Sequence, residues 1–178
     1  MKKLLPLTLA TTAFFATSAL ATDLILDIYN PGEASVFPVS SEIIYGDKDA
    51  VLIDAQFQKN DAQALVDKIK ASGKNLTYIY ISHSDPDFYF GLDVITNAFP
   101  NAKVIATAPT IKAINETQAG KLAYWGPVLK ENAPQKIIIP EELKGDSFSL
   151  EGETISVKGL DGQSPDRTYL YVPKLNAV

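Results

Sequence analysis

The sequence of 178 residues contains no cysteine and only one histidine, His83. Without cysteine, the chain can form neither disulfide bonds nor a thiolate metal site, and it has no thiol nucleophile. Any bound metal must therefore be held by nitrogen and oxygen ligands. The sequence also lacks a glycine-rich phosphate loop, and no nucleophile-elbow pattern surrounds the single histidine. These absences argue against cysteine, P-loop and serine-triad chemistry.

Basic residues are scarce relative to acidic ones, with 16 Lys and Arg against 21 Asp and Glu and a formal net charge of −5. Nucleic-acid binding depends on neutralising phosphates, so we expect no nucleic-acid partner for this acidic chain. Hydrophobic residues make up 46% of the sequence and aromatic residues 10%. This composition is typical of a folded protein, and the length predicts one domain.

Residues 1–21, MKKLLPLTLATTAFFATSALA, have the organisation of a bacterial secretory signal. Lys2 and Lys3 precede an apolar segment that ends in Ala19-Leu20-Ala21, a small-x-small pattern suited to signal peptidase. A membrane anchor is the alternative, but the apolar run is short and is interrupted by threonine and serine. We therefore predict a cleaved signal and a mature domain over 22–178, periplasmic or secreted, with no membrane association after cleavage.

The mature chain begins with short strands, continues with alternating strands and helices, and returns to short strands. The predicted strands are 23–29, 36–39, 42–45, 50–55, 76–82, 103–107, 136–139, 146–150, 154–158 and 168–172. The predicted helices are 60–73, 91–99 and 110–124. This order is typical of a layered mixed α/β (α+β) domain.

The last ten residues, YLYVPKLNAV, begin a strand, turn, and enter a second apolar strand at Val178. An unpaired edge of this kind is usually covered or blunted in native proteins. The pattern predicts a domain that is incomplete at its C-terminal end.

The segment 81–91, ISHSDPDFYFG, carries the only histidine at the end of a predicted buried strand. Asp85 and Asp87 follow His83 on a turn that Pro86 stiffens. An imidazole suits zinc or iron, and carboxylates suit harder divalent ions. One histidine with two carboxylates predicts a mixed nitrogen and oxygen site for a divalent metal.

This segment resembles the metal motif of the metallo-β-lactamase superfamily, in which a strand ends in His-x-His-x-Asp-His and a glycine follows. His83 matches the first histidine, Asp87 the aspartate and Gly91 the glycine. Asp85 and Phe88 stand where that motif has histidines, and Phe88 cannot bind a metal.

A second family motif, Gly-His-(Ser/Thr)-Pro-Gly, resembles residues 162–166, GQSPD, with Gln163 in place of the histidine. Ile53-Asp54 and Tyr171-Val172-Pro173 also resemble family segments that end strands. The resemblance extends over the whole mature chain. It implies an αββα sandwich of the metallo-β-lactamase type, incomplete at the C-terminal end.

The resemblance further implies a small-molecule substrate and a divalent metal, which would be zinc, iron or manganese. His83, Asp85, Asp87 and Gln163 would be its ligands, and Asp87 would also act in catalysis. A metal-bound hydroxide, formed when the ion lowers the pKa of water to about 7, would attack a small ester, lactone or amide. Carboxylate ligands weaken this effect because they offset the charge of the ion.

Alternatives remain for these residues. Asp87 could cap the following helix, Asp85 could form an Asx turn, and His83 could be a hydrogen-bonded loop residue. Gln163 could be a surface turn residue, and Asp54 could be either a supporting residue of a metal site or a polar residue in a turn. The chain itself could be a non-catalytic binding member of the fold or an inactive truncated product.

The aromatic residues near the motif and in the last predicted helix also have two interpretations. They could line an apolar substrate pocket, or they could pack a core. These residues are Phe88, Tyr89, Phe90, Tyr124 and Trp125.

Overall fold

The computed structural model describes residues 23–178, so the predicted signal segment lies outside the described residues. The nine strands of this part of the chain are β1 (Ile25–Tyr29), β2 (Ser41–Tyr45), β3 (Asp49–Ile53), β4 (Asn75–Ile81), β5 (Lys103–Ala106), β6 (Glu141–Glu142), β7 (Ser147–Leu150), β8 (Glu153–Lys158) and β9 (Tyr169–Tyr171). The α-helices are α1 (Lys59–Ser72), α2 (Pro86–Tyr89), α3 (Leu92–Ala98) and α4 (Ala108–Leu129). Over 23–178, no helix is both long and apolar enough to cross a membrane.

The strands form two sheets. Six strands make the larger sheet in the order β1-β2-β3-β4-β5-β6, and three make the smaller sheet in the order β7-β8-β9. The β1–β2 and β2–β3 pairs are antiparallel, whereas β3, β4, β5 and β6 run parallel to one another. Helices connect the parallel strands, as parallel pairing requires. The structure is thus the layered mixed α/β domain that the sequence predicts.

Alternating side chains of the larger sheet enter two separate cores, because successive residues of a strand point to opposite faces. Ile43 and Ile79 belong to the core that also contains residues of α1, α3 and α4. Ile44 and Tyr80 belong to the core that contains residues of the smaller sheet. The larger sheet is therefore the middle layer, with helices on one face and the smaller sheet on the other.

Helix α1 follows directly from its sequence pattern. Ala62, Leu65, Val66 and Ile69 are buried at helical spacing and face the helix-side core. The helix ends at Gly73, whose φ of +69° is the left-handed conformation typical of a glycine at a helix end.

The predicted strand at 36–39 is wrong. A short 3-10 helix at Gly32–Ala34 precedes this segment, and the backbone N–H of Val36 donates to the Gln58 side chain at 2.7 Å instead of to a strand. Phe37 lies against Phe57 and Trp125, with ring centroids 5.1 Å away in both cases. The segment is apolar because it covers a core, and Pro38 has no N–H for a sheet.

The predicted strand at 136–139 is also wrong. Ile137, Ile138 and Ile139 are half-buried and pack against the helix-side core without forming a ladder. Pairing begins only after Pro140, where Glu141–Glu142 form β6 beside β5. Near the end of the chain, the second apolar strand is reduced to a single bridge between Val172 and Ala177.

Candidate functional site

The candidate site lies where the parallel strands β3, β4 and β5 end. Asp54 follows β3, Ser82 and His83 follow β4, and Thr107 follows β5. The carboxyl ends of parallel strands meet at one edge, which is where open α/β sheets bind ligands. The only histidine is therefore at the edge of the sheet where function is expected.

Asp54 lies in a strained turn after β3. Its φ is +60°, and its side chain is buried. Its two carboxyl oxygens accept hydrogen bonds from Ser82, one from the backbone N–H at 2.8 Å and one from the hydroxyl at 2.5 Å. Burial raises the pKa of Asp54 to about 8 in spite of these bonds. Asp54 thereby holds the first residue after β4 in place.

The imidazole of His83 is held by two neighbours. Its Nδ1 shares a hydrogen bond with the Ser82 hydroxyl at 2.6 Å, and its ring stacks on Phe88 with the centroids 4.3 Å apart. Burial is the main cause that lowers the pKa of His83, so the ring is neutral near neutral pH. Asp54, Ser82 and His83 form a continuous chain of polar contacts, and Phe88 fixes the plane of the imidazole.

Gly91 allows this part of the site to pack closely. A Cβ atom at this position would lie 2.0 Å from the Ala55 carbonyl oxygen and 2.7 Å from the Ala62 Cβ. The backbone N–H of Gly91 donates to the Gln56 carbonyl at 2.9 Å, and that of Ala55 donates to the Phe88 carbonyl at 2.7 Å. The turn after β3 and the segment around α2 are therefore in direct backbone contact.

Asp85 is paired with two cations. Its Oδ2 lies 3.0 Å from Nη2 of Arg167, and its Oδ1 lies 3.9 Å from Nζ of Lys121. The Lys121 ammonium also donates to the Ser84 carbonyl at 2.6 Å. Asp85 is the N-terminal flanking residue of α2, and its side chain makes no capping hydrogen bond there. Its carboxylate is committed to cations supplied by other parts of the chain.

Asp87 lies in the first turn of α2 and is half-buried. It does not cap α3, whose N-terminal flanking residue is Gly91. Burial raises the pKa of Asp87 and the charge of Asp85 adds to this, while Lys121 and Arg167 act in the opposite direction. A catalytic role for Asp87 stays a prediction.

Gln163, the fourth predicted ligand, is at the surface of the protein. Its side chain is exposed, and it belongs to the loop between β8 and β9. Within that loop, the Gly162 N–H donates to the Gly159 carbonyl at 3.1 Å and closes a turn. This placement agrees with the surface-turn interpretation of Gln163.

The arrangement does not fit a divalent metal of the kind that the superfamily generally binds. Over residues 23–178, no three His, Asp or Glu side chains come together as a group that could hold a metal ion. The Asp85 carboxylate is paired with the cations of Arg167 and Lys121. Binding of an ion by His83, Asp85, Asp87 and Gln163 stays a prediction.

Sequence reasoning missed Ser82, Lys121 and Arg167 as members of the site. Ser82 is adjacent to His83, and its hydroxyl could have been considered as a hydrogen-bond partner. Arg167 is the only arginine of the sequence and directly follows the motif-like GQSPD segment. This position in the sequence indicates that Arg167 could belong to the site. No local pattern distinguishes Lys121 from the other lysines.

A pocket of about 380 Å³ opens beside His83, between the larger sheet and the segment around β9. We call it the apolar pocket. Its polar lining residues are Ser40, Glu42, Asp54, Ser82, His83 and Thr168. Its apolar and aromatic lining residues are Leu26, Ile28, Val39, Ile44, Ile53, Phe88, Tyr169, Leu170, Val172, Leu175, Ala177 and Val178.

A second hollow of about 710 Å³ lies at the opposite end of the strands, near Lys74, Asn75 and Lys103. It is larger, but none of the motif residues lines it. We therefore assign the candidate site to the apolar pocket, which combines His83 with the carboxyl ends of β3 and β4.

The aromatic residues have both predicted roles. Phe88 lines the apolar pocket, whereas Tyr89 and Phe90 are buried in the helix-side core. Trp125 packs against Phe37 and Phe57, and Tyr124 is exposed.

Solved structures with a similar fold include metallo-β-lactamases. The BLEG-1 B3 metallo-β-lactamase has 18% identity and a TM-score of 0.61, over 85% of this chain and 68% of its own. The metallo-β-lactamase from Pontibacter korlensis has 16% identity and a TM-score of 0.61, over 88% of this chain and 66% of its own. At these identities the likeness establishes the fold alone.

A metallo-β-lactamase from Cronobacter sakazakii with a HARLDQ motif has 24% identity and a TM-score of 0.53, over 74% of this chain and 52% of its own. The six residues from His83 to Phe88 read HSDPDF and share the first and fifth letters of that motif. The present chain thus spans from about half to about two thirds of the length of these proteins.

No protein with a curated description matches the chain. The family model of the metallo-beta-lactamase superfamily matches residues 34–178, which is most of the sequence. This match and the similar structures confirm the predicted metallo-β-lactamase-like mixed α/β fold. The chain belongs to the metallo-beta-lactamase superfamily.

Proposed function

We propose that the mature chain is an exported, hydrolase-like protein that binds a small, largely apolar molecule in the apolar pocket. The observation that carries this proposal is a concave site whose lining is mostly apolar and includes the polar side chains of Asp54, Ser82 and His83. A volume of about 380 Å³ is within the range of small-molecule sites. Superfamily membership supports a metallo-hydrolase-like function in general terms.

The lining of the pocket favours a neutral ligand. Leu26, Ile28 and Leu170 offer apolar surface, whose burial by a ligand contributes about 25 cal/mol per Å². Burial raises the pKa of both carboxyl groups in the lining, Glu42 and Asp54. Among residues 23–178, no lysine or arginine lines the pocket. An anionic ligand would gain no ion pair there. A neutral molecule with a hydrogen-bonding group at one end matches this chemistry.

Hydrolysis of a small ester, lactone or amide is the second candidate function. It is favoured by the position of His83, which lines the pocket and is oriented by Ser82 and Phe88. Solved structures of similar fold include a metallo-β-lactamase and a sec-alkyl sulfatase. The arrangement of the described residues does not fit a metal, so binding without turnover is the function that the geometry supports best.

Export is proposed on the sequence of residues 1–21 alone. Lys2, Lys3 and the Ala19-Leu20-Ala21 pattern support cleavage before Thr22. N-terminal sequencing of the product recovered from a bacterial periplasm tests this. A mature chain that begins at or near Thr22 is the expected result, and a retained Met1 would refute it.

Ligand binding can be tested with the neutral fluorescent probe Nile red. We expect saturable binding that Ile28→Arg weakens by about tenfold or more, because the substitution places a charge in an apolar wall. Ile25→Arg is the matched control. Ile25 is on the same strand and is 63% exposed, against 59% for Ile28, but it does not line the pocket. Circular dichroism checks that both variants fold.

Equal affinity of the two variants for Nile red would refute the binding proposal. A panel of chromogenic esters, lactones and amides distinguishes the second candidate. Turnover that His83→Ala abolishes would establish hydrolysis and replace binding as the function. Lack of turnover combined with specific probe binding supports the binding function.

A further inference from the structure

The only histidine and the only arginine of the sequence are direct partners across a short antiparallel bridge. The Thr168 N–H donates to the Ser82 carbonyl at 2.9 Å, and the Ser84 N–H donates to the Asp166 carbonyl at 3.2 Å. These two bonds place Arg167 opposite His83 by backbone pairing. The backbone of Arg167 is therefore fixed beside the motif by main-chain register, and its side chain, which is 55% exposed, reaches Asp85 from there.

Side-chain contacts strengthen the same junction. The Ser84 hydroxyl donates to Oδ2 of Asp166 at 2.7 Å, and the Thr168 hydroxyl donates to the Ser82 carbonyl at 3.0 Å. The Tyr80 hydroxyl lies 2.7 Å from that of Thr168, inside the protein. The residues on both sides of Arg167 are thus anchored to β4 and to the residues that follow it.

A second cation arrives from α4. Lys121 donates to the Ser84 carbonyl at 2.6 Å and lies 3.9 Å from the Asp85 carboxylate. Its side chain is 21% exposed, whereas that of Lys112, on the same helix, is 73% exposed. Lys121 is therefore directed into the motif, while Lys112 projects into solvent.

We propose that Arg167 and Lys121 are the resident cations of this site and occupy the electrostatic position that a metal ion would otherwise take. A divalent ion on Asp85 would have to displace the guanidinium from 3.0 Å or lie beside two positive charges. The consequence is a metal-independent motif in which a carboxylate joins the turn after β4, helix α4 and the segment before β9. This inference is independent of what the apolar pocket binds.

The test measures metal binding directly. The protein is expressed with zinc and manganese in the medium, analysed for metal content, and titrated with Zn²⁺ and with Mn²⁺ by calorimetry. We expect no stoichiometric metal in the wild type. The double variant Arg167→Gln/Lys121→Gln should bind at least one of the two ions about tenfold more tightly or better, because its Asp85 carboxylate is no longer held by two cations and is free to turn toward His83.

Three further variants make the result specific. Arg167→Lys keeps the positive charge and should remain metal-free. Lys112→Gln removes an exposed lysine from α4, the helix that carries Lys121, and should leave metal binding unchanged. Asp85→Asn, added to the double variant, should abolish the gained affinity. If the double variant does not fold by circular dichroism, the single variant Arg167→Gln takes its place.

Two results would overturn the inference. One is stoichiometric metal in the wild type that His83→Ala removes. The other is a folded double variant with no gain in affinity for either ion, which would show that the cations are not what keeps metal out. Neither result affects the Nile red comparison of Ile28→Arg with Ile25→Arg, so failure of this inference is distinguishable from failure of the proposed function.

Discussion

Asp54 supports the site through two hydrogen bonds to Ser82. Aspartate and asparagine tolerate a positive φ better than other side chains, so an aspartate is compatible with the turn of φ +60° after β3. Strained residues of this kind cluster at functional sites. The sequence predicts a polar residue at the end of a strand, but the bonds to Ser82 depend on how β3 and β4 align and have no local signature.

We expect Asp54→Asn to make the stability of the protein less dependent on pH. Burial raises the pKa of Asp54 from the ordinary 3.8 to about 8, so the folded state holds a proton that the unfolded state releases. The stabilising effect of this proton is fully present below the unfolded pKa and is lost as the pH rises through the folded pKa. Asparagine is similar in shape but does not titrate.

As the pH rises from about 5 to about 8, the wild type should lose stability through this group and the variant should not. The difference between their free energies of unfolding should therefore shift in favour of the variant, by about 1 kcal/mol or more. Urea unfolding at several pH values measures the free energy of unfolding of both proteins. Asp67→Asn, an exposed position on α1, is the control and should follow the wild type. Parallel pH curves for the wild type and Asp54→Asn would contradict the prediction.

At the scale of whole elements, the spacing of hydrophobic residues predicts the long helices and strands correctly. It does not predict the structure of short apolar segments. Helix α1 and strand β4 are as predicted, because each has one consistent pattern over many residues. The segments 36–39 and 136–139 are apolar as well, but they cover a core without pairing. A short apolar run is compatible with a strand or with a buried loop, and only tertiary packing selects between them.

A contact between the two sheets offers a test at this scale. The Glu151 carboxylate, from the turn between β7 and β8, accepts hydrogen bonds from the backbone N–H groups of Asp47, Lys48 and Asp49 at 2.9, 2.6 and 2.8 Å. Those groups belong to the turn between β2 and β3 and the start of β3. One side chain therefore connects the hairpins of the larger and the smaller sheet.

We expect Glu151→Ala to lower the free energy of unfolding by about 1.5–3 kcal/mol, since hydrogen bonds to a charged group are stronger than neutral ones. Glu142→Ala is the matched control. It removes an exposed glutamate paired with Lys144 at 2.9 Å, and a surface pair of this kind contributes less than about 1 kcal/mol. Chemical denaturation measures the free energy of unfolding of both variants. Equal losses of stability in Glu151→Ala and Glu142→Ala would refute a special role for Glu151.

At the scale of the molecule, the order of strands and helices and the partial motif were sufficient to predict the superfamily fold. The environment of the motif was not predictable, because Arg167 and Lys121 are distant in sequence from Asp85. They reach it only when α4 and the segment before β9 pack against the end of β4. The motif residues alone predict a metal site, whereas their neighbours in space supply positive charge.

The stability of the whole molecule should accordingly be insensitive to metal. An ion present at about 100 times its Kd stabilises a native protein by about 2.7 kcal/mol, which shifts the Tm of a domain of this size by roughly 5–10 °C. Because Asp85 is already neutralised by Arg167, we expect EDTA and excess Zn²⁺ each to leave the Tm of the wild type unchanged. Thermal unfolding followed by circular dichroism measures this, and Arg167→Gln/Lys121→Gln should gain Tm with Zn²⁺. A wild-type Tm that falls with EDTA and recovers with zinc would show that the fold depends on a bound ion.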